Sequence, residues 1–566
     1  LTIYDKDESY SIIEFNDHTD KEALDLRMAL MEDLSVFVDG YKFSPKFRAG
    51  VWDGKKYYFK MLKDMSMQIP KGLVGTVLKR FNQHMTEDYV PLKQPPEVTR
   101  QEILDHAEFI GLPFEPYDYQ IDAVLKSMNE PRSILVAATG AGKSLIIYLI
   151  MTFHARQKRR GLLIVPNVGL AEQMQSDFLS YGMTPEDLKK HFHTIYAGKE
   201  KNFNKLMTTT TWQSAILMNS YDFNALDYVL IDEAHLATGE SLQKLLSTSK
   251  NCLWKIGLTG TLPKTYEGRF TLAATLGKSK KIITPQGLIE RGLATPVTIV
   301  TVYFNYPLAD KAKVKLLKNY QKEVKYIEEH FERNRFIARM VIQATEKYGN
   351  SLIMYNSISH GEFLLELILM EKFNIDKPMV LEKVTPKRVG AIKEEYPDGV
   401  GVFVLTEMTE KDRKTLLKFY SASDIENIKV LSDYHIYLIK GSIEGETRNE
   451  IRSLLENVED GMIIGSAQTV STGMNVKRLH NFFASSSTKS SIRLNQSIGR
   501  GMRLHEDKDM LRYFDFIDDF STVAKTGRVT NKNYVLKHSY ERLNEYIEHG
   551  YPIKEIEITL NGGENE

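Results

Sequence analysis

A single cysteine, Cys252, stands in 566 residues, which excludes an intramolecular disulfide framework and any cysteine-built zinc or iron–sulfur site. Alone, it reads as a buried thiol in a protein of a reducing compartment. Long apolar runs are missing as well: the longest candidate, residues 145–151, falls far short of the roughly 18 residues that cross a membrane. The N-terminal segment is acidic and has no apolar signal core, so the expectation is an intracellular, cytoplasmic protein with no membrane partner. Net charge is absent too, because 74 basic side chains cancel 74 acidic ones. The cancellation hides a segregation: residues 1–39 carry 3 Lys/Arg against 11 Asp/Glu, and residues 40–80 carry 10 against 2. A local basic patch binds polyanions even on a neutral chain.

What is present is ordinary in bulk, 42% hydrophobic and 26% charged, at a length that implies several domains. Between about 133 and 260, short β-rich apolar runs alternate with polar turns and helical stretches. Residues 133–136, 161–165, 228–231 and 254–258 read as central strands of a parallel sheet, buried on both faces. A second series lies at 351–355, 436–439, 461–464 and 481–484. The fold class is therefore α/β: two tandem parallel-sheet domains behind a small α+β N-terminal domain, with an insertion in the second. The expected boundaries are 1–95, 96–290, 291–525 with the insertion at about 371–430, and a helical tail over 526–566. Within the N-terminal domain, a helix is expected from Asp20 to Leu34. Asp53-Gly54 signals a hairpin between Val51-Trp52 and residues 55–59.

The chemistry is concentrated in a few runs. Ala137-Ala138-Thr139-Gly140-Ala141-Gly142-Lys143-Ser144 follows one strand and precedes a helix. A phosphate cradle needs backbone N–H groups turned inward, hence the glycines; Lys143 supplies a mobile charge and Ser144 a hydroxyl for Mg²⁺. Ala137 replaces the glycine that usually opens this pattern. Asp232-Glu233-Ala234-His235 follows another strand and so stands at the C-terminal edge of the sheet, where ligands of open α/β sheets bind. Asp232 is expected to hold Mg²⁺ through water and Glu233 to orient and polarise the attacking water. Cradle and acid pair together describe a site of nucleoside-triphosphate hydrolysis.

These runs and the rest of the chain from about 112 to 520, the insertion apart, resemble the superfamily 2 helicases and translocases, whose two RecA-like domains clamp ATP between them. The resemblance assigns Tyr117 and Gln120 to adenine recognition, with Thr139, Gly140, Ala141, Gly142, Lys143, Ser144 and Gly473 holding the nucleotide. It assigns nucleic-acid contacts to Pro166, Asn167, Thr211, Gln213 and Thr472. Thr259-Gly260-Thr261 resembles the motif that couples ATP state to domain closure, and its spelling leans toward DNA rather than RNA. Gln496, Arg500 and Arg503 match the arginine-finger motif, in which two guanidiniums three residues apart share one helix face and stabilise transition-state charge.

Residues 40–59 interleave basic and aromatic side chains, so Lys42, Lys46, Arg48, Lys55 and Lys56 are expected on phosphates and an exposed aromatic on a base at a branch point. This stretch and Ile69–Gly75 resemble the N-terminal domain of recombination helicases of large tailed phages. That resemblance implies an ATP- and Mg²⁺-dependent enzyme remodelling branched or forked DNA or RNA–DNA hybrids in phage recombination, repair and replication. It also implies a monomer in the host cytoplasm that works with single-strand-binding or recombination proteins. The alternatives are a duplex translocase that separates no strands, or an RNA helicase.

Overall fold

The computed structural model describes residues 1–15, 21–196, 203–395, 403–440, 445–466, 476–486, 491–523 and 529–560. They form two compact units, Leu1–Thr284 and Pro285–Glu566. The first is built on a seven-stranded, all-parallel sheet in the order Lys278–Ile283, Arg132–Ala137, Trp254–Thr259, Tyr228–Asp232, Gly161–Val165, Met207–Thr211, Phe192–Ile195. Successive residues of these strands feed opposite faces, as the two-residue period requires. Leu135, Leu163, Leu230 and Ile256 enter one core, while Ile134, Leu162, Val229 and Ile231 enter the other. Burial on both faces is why the central strands read as unbroken apolar runs.

The N-terminal lobe carries an antiparallel sheet in the order Thr2–Asp5, Tyr10–Glu14, Met67–Pro70, Lys60–Met61, with helices Lys21–Asp33 and Val74–Phe81. Its core is shared with the first parallel-sheet domain, since Phe270 and Ala274 of helix Tyr266–Leu276 belong to the same apolar cluster as Leu30, Ile69 and Val77. A Cβ on Gly72 would stand 2.2 Å from Ala273 O, so only glycine permits this approach. The expected hairpin is not formed. Lys55–Tyr57 pairs antiparallel with Ser35–Phe37, and Val51-Trp52 lies in the intervening loop. Gly54 (φ +83°) does turn the chain, but it closes a long loop in which Pro45 opens a short helix and Trp52 Nε1 donates to Lys55 O at 2.9 Å.

In the second unit the seven-stranded sheet is again all parallel, in the order Ile436–Ile439, Met462–Ser466, Ser351–Tyr355, Asn481–Ala484, Leu511–Asp519, Val297–Asn305, Ile553–Thr559. The expected helical tail is a helix, Tyr534–Glu548, followed by an edge strand beside Val297–Asn305. Two buried ion pairs tie this region together: Arg333 Nε meets Asp518 at 2.7 Å and Arg542 meets Asp515 at 2.8 Å. The insertion forms a small parallel sheet of Met379–Leu381, Phe403–Leu405 and Lys429–Val430. It has its own core around Val389, Leu405, Leu416 and Ile425, while Val404 joins the core of the main sheet.

Candidate nucleotide site and nucleic-acid surface

Strand Arg132–Ala137 runs into the loop 138–142, where Gly140 (φ +87°) and Gly142 (φ +73°) take left-handed conformations costly to other residues. Helix Lys143–Arg156 starts directly after them, so its free N–H groups and dipole end face the loop, as a bound phosphate requires. Lys143 Nζ rests 3.4 Å from Ala137 O. A Cβ on Gly260 would lie 3.5 Å from Thr139 Oγ1 and 3.8 Å from Lys143 Nζ, so the coupling run stands against the cradle. Ser144 Oγ is 2.8 Å from Tyr181 OH, a partner that carries no motif and that sequence reading missed.

Asp232 ends its strand and is buried. Desolvation, with Glu233 beside it, pushes its carboxyl above the usual carboxylate range, and Lys143 opposes the rise. A buried anion in that state is short of positive charge, which suits a carboxylate meant to face a cation. Glu233 adopts φ +50°, a strained conformation for a non-glycine residue. Its Oε2 lies 3.3 Å from His235 Nδ1, which is also 2.9 Å from Thr259 Oγ1. Thr259 donates its one hydroxyl hydrogen to Thr261 O at 2.8 Å, so it accepts from His235, and the Nδ1–H tautomer is assigned. A hydrogen-bonded chain thus joins His235 to the run 259–261, with the Glu233 carboxylate beside the same ring nitrogen. Among the described residues no group of three or more His, Cys, Asp or Glu could hold a metal. The donor set of one hydroxyl and one carboxylate nevertheless fits Mg²⁺, which takes few protein ligands and completes its shell with phosphates and water.

Gln120 is buried, with Nε2 donating to Ala141 O at 3.0 Å and Oε1 accepting from Tyr117 N at 2.9 Å. Its amide braces the cradle against the segment carrying Tyr117, whose ring is 48% exposed. Asn167 caps helix Val168–Ser180 by accepting from Leu170 N, and buried Thr211 caps helix Trp212–Ala215 by accepting from Ser214 N. Both therefore act locally, while Gln213 is exposed. Pro166 and Trp212 line a cavity of about 250 Å³ together with Asp232, Glu233 and Leu236. The strand-end runs and the acid pair consequently share one edge of the sheet. Trp212, 39% exposed, was not singled out by the sequence.

In the second unit, helix Ser491–Gly501 carries Gln496 and Arg500 but ends before Arg503, so the two guanidiniums do not share a helical face. The reason is a stop that sequence reading missed: Lys508 donates to Gly501 O and Lys477 O, both at 2.8 Å, and to Arg503 O, capping the helix C-terminus. Thr472 and Gly473 lie outside the described residues.

The basic patch of the lobe is at the surface. Lys42, Lys46 and Arg48 are exposed, and the half-buried Lys55 and Lys56 lie over the rings of Phe37 and Tyr58 at 5.2 and 5.3 Å. Most of the aromatics are internal packing: Tyr41 stacks on Phe37 at 4.6 Å and meets Phe47 edge-on at 4.8 Å. Phe43, 76% exposed, and Tyr57, 50% exposed, are the exceptions.

Two parallel sheets, a phosphate cradle against an acid pair, and a helix carrying Gln496 and Arg500 are the features by which the chain resembles the superfamily 2 helicases. The chain is UvsW-like: it is 28% identical over 548 residues, 94% of its length and 95% of the relative's, to the ATP-dependent DNA helicase uvsW of Enterobacteria phage T4. The family model described as DNA helicase UvsW, N-terminal, matches residues 5–90, and that for the res subunit of type III restriction enzymes matches residues 113–264. Among solved structures, T4 UvsW is covered over 99% of both chains at 24% identity with a TM-score of 0.43. An HsdR-subunit fragment of a type I restriction enzyme from Vibrio vulnificus gives a TM-score of 0.52 at 16% identity, over 82% of this chain and 72% of that one. No helix among the described residues is long and apolar enough to cross a membrane.

Proposed function

We propose that the protein is an ATP-dependent DNA helicase that remodels branched DNA, migrating four-way junctions, regressing forks and dissociating R-loops or D-loops. The observation that carries this reading is the meeting of Lys143, Asp232 and Gly260 at one sheet edge in a chain aligned along 94% of its length with a DNA helicase. Lys143 and the backbone of 139–142 bind the β- and γ-phosphates, while Glu233, beside His235, orients and polarises the attacking water. Ser144 and Asp232 are the residues that would hold Mg²⁺, which when bound neutralises charge on the phosphates. Arg500 and Arg503, with Gln496, supply the donors for transition-state charge. Lys42, Lys46, Arg48, Lys55 and Lys56 hold DNA phosphates, and exposed Phe43 or Tyr57 is the aromatic to stack on an unpaired base. The host cytoplasm is the proposed location.

A second reading, duplex translocation without strand separation, is favoured by the match of residues 113–264 to the res subunit of restriction enzymes. One comparison separates the two: ATP turnover and strand products on a four-way junction, a fork, an R-loop, plain duplex DNA and duplex RNA. Turnover and products concentrated on the branched substrates support the helicase. Strong turnover on plain duplex with no products supports the translocase, and activity confined to RNA overturns both.

A further inference from the structure

Within the first unit, where the N-terminal lobe meets the parallel sheet, there is a cavity of about 240 Å³. Four of its lining side chains are cationic, Lys56, Arg132, Lys244 and Lys255, and none is acidic. The remaining polar lining is rich in hydroxyls, among them Ser9, Tyr58, Ser247 and Thr271. The lining thus combines cations and hydroxyls without an acidic side chain.

Two of the cations are fixed. Lys255, on strand Trp254–Thr259, is 1% exposed, and its ammonium donates to Ser9 Oγ at 2.8 Å and Leu246 O at 3.0 Å. Arg132, which opens the strand leading to the phosphate cradle, donates to Thr275 O at 2.8 Å and to Glu8 O, while its buried Nε has no partner. Of the carboxylates behind this floor, Asp5 and one oxygen of Glu8 meet Lys71 at 2.7 and 2.6 Å, and the other Glu8 oxygen has no hydrogen-bond partner. Burial, with Arg132 beside it, lowers the Lys255 ammonium to about 7, against the weaker opposing pull of Cys252, Asp7 and Glu8. The other two cations are mobile: Lys244 is exposed on helix Glu240–Thr248, and Lys56 is half-buried on strand Lys55–Tyr57. Their flexible stems let the ammonium heads swing over the cavity mouth.

The geometry points to a phosphate-binding site in this cavity, in which Lys56 and Lys244 close on the oxygens of a phosphoryl anion above the fixed charge of Arg132 and Lys255. That chemistry is common to inorganic phosphate and to a backbone phosphate of DNA; the second source rests on the function proposed above. The strand of Arg132 ends in the phosphate cradle and that of Lys255 in Thr259, so an anion held here loads both strands that serve the ATP site.

The test uses the full chain saturated with a non-hydrolysable ATP analogue and Mg²⁺, so that the phosphate cradle is filled, with inorganic phosphate titrated by calorimetry. The wild type is expected to bind one phosphate, and Lys244→Glu to weaken binding about tenfold or more. Lys244 is exposed, so the variant keeps its fold, and Lys244→Gln should fall between the two. A parallel titration with duplex DNA across salt concentrations identifies the source. If DNA supplies the phosphate, Lys244→Glu lowers DNA affinity, flattens the salt slope by about one, and inorganic phosphate competes. If the ligand is free phosphate, DNA binding is unchanged while phosphate binding falls. Absence of phosphate binding together with unchanged DNA affinity in Lys244→Glu overturns the site. DNA-stimulated ATP turnover by the wild type is read separately, and its absence would count against the helicase reading alone.

Discussion

At the scale of single residues, Glu233 carries the sharpest demand. Its backbone is strained at φ +50°, and its carboxylate stands 3.3 Å from His235 Nδ1, which is itself bonded to Thr259, 24 residues further on. Glu233→Gln keeps the shape but removes the negative charge that polarises water. DNA-stimulated ATP hydrolysis is expected to fall by about 10²–10⁴-fold. Lys143→Ala removes the mobile charge on the phosphates and should abolish turnover to a similar degree. In both variants DNA affinity should stay within about twofold of wild type, since neither residue is in the proposed DNA patch. A steady-state ATPase assay beside a fluorescence-anisotropy titration reads the two quantities, and normal turnover in either variant would sink the assignment. The cradle, the acid pair and the coupling run were legible because each is a local spelling whose chemistry dictates residue type. Tyr181, Trp212 and Lys508 were not: the first two meet their neighbours through tertiary packing, and Lys508 reaches back to the carbonyls of Gly501 and Arg503 from a loop that no spelling marks.

Whole elements were legible where burial is two-sided. Tyr228–Asp232 and Gly161–Val165 are buried at every position and announce themselves as apolar runs. Ile553–Thr559 does not: as an edge strand with four consecutive exposed positions it alternates charge with isoleucine, and a tail expected to be helical ends in sheet. The lobe misled in another way. Asp53-Gly54 carries a hairpin signal, yet Lys55–Tyr57 found its partner in Ser35–Phe37, so a local turn signal lost to a longer-range pairing. Lys255 is the element-scale case with a measurable consequence. On a buried strand its ammonium is lowered to about 7, whereas in the unfolded chain it returns to about 10.4. Between those values the unfolded state binds more protons, so this group's contribution to stability rises with pH, and below about 7 its penalty is constant. Lys255→Met removes the titration. The stability of the wild type relative to the variant should therefore climb between about pH 7 and 10, by up to about 3 kcal/mol. Urea unfolding across that range measures it, and parallel curves for the two proteins would refute the lowered value.

For the molecule as a whole, the informative boundary is one the sequence draws inside a single compact unit. Composition separates residues 1–95 from the remainder of the chain, but the lobe and the first parallel-sheet domain share a core: Phe270 and Ala274 pack with Leu30, Ile69 and Val77, and Tyr58 OH meets Thr271 Oγ1 at 2.6 Å. Lys255 and Arg132 also place donors on the lobe's Ser9 and Glu8. The proposed DNA patch is thereby built rigidly onto the domain that carries the phosphate cradle, and each can act on the other without a hinge between them. Residues 1–284 expressed alone should accordingly unfold in one cooperative transition. A fragment of residues 96–284 would expose Phe270 and Ala274 and leave buried cations without acceptors, two of the mechanisms that destabilise strongly. It should melt at least about 10 °C lower or aggregate. Scanning calorimetry on the two fragments decides the matter: two separate transitions in 1–284, or equal melting temperatures for both fragments, would mean that lobe and domain are independent bodies.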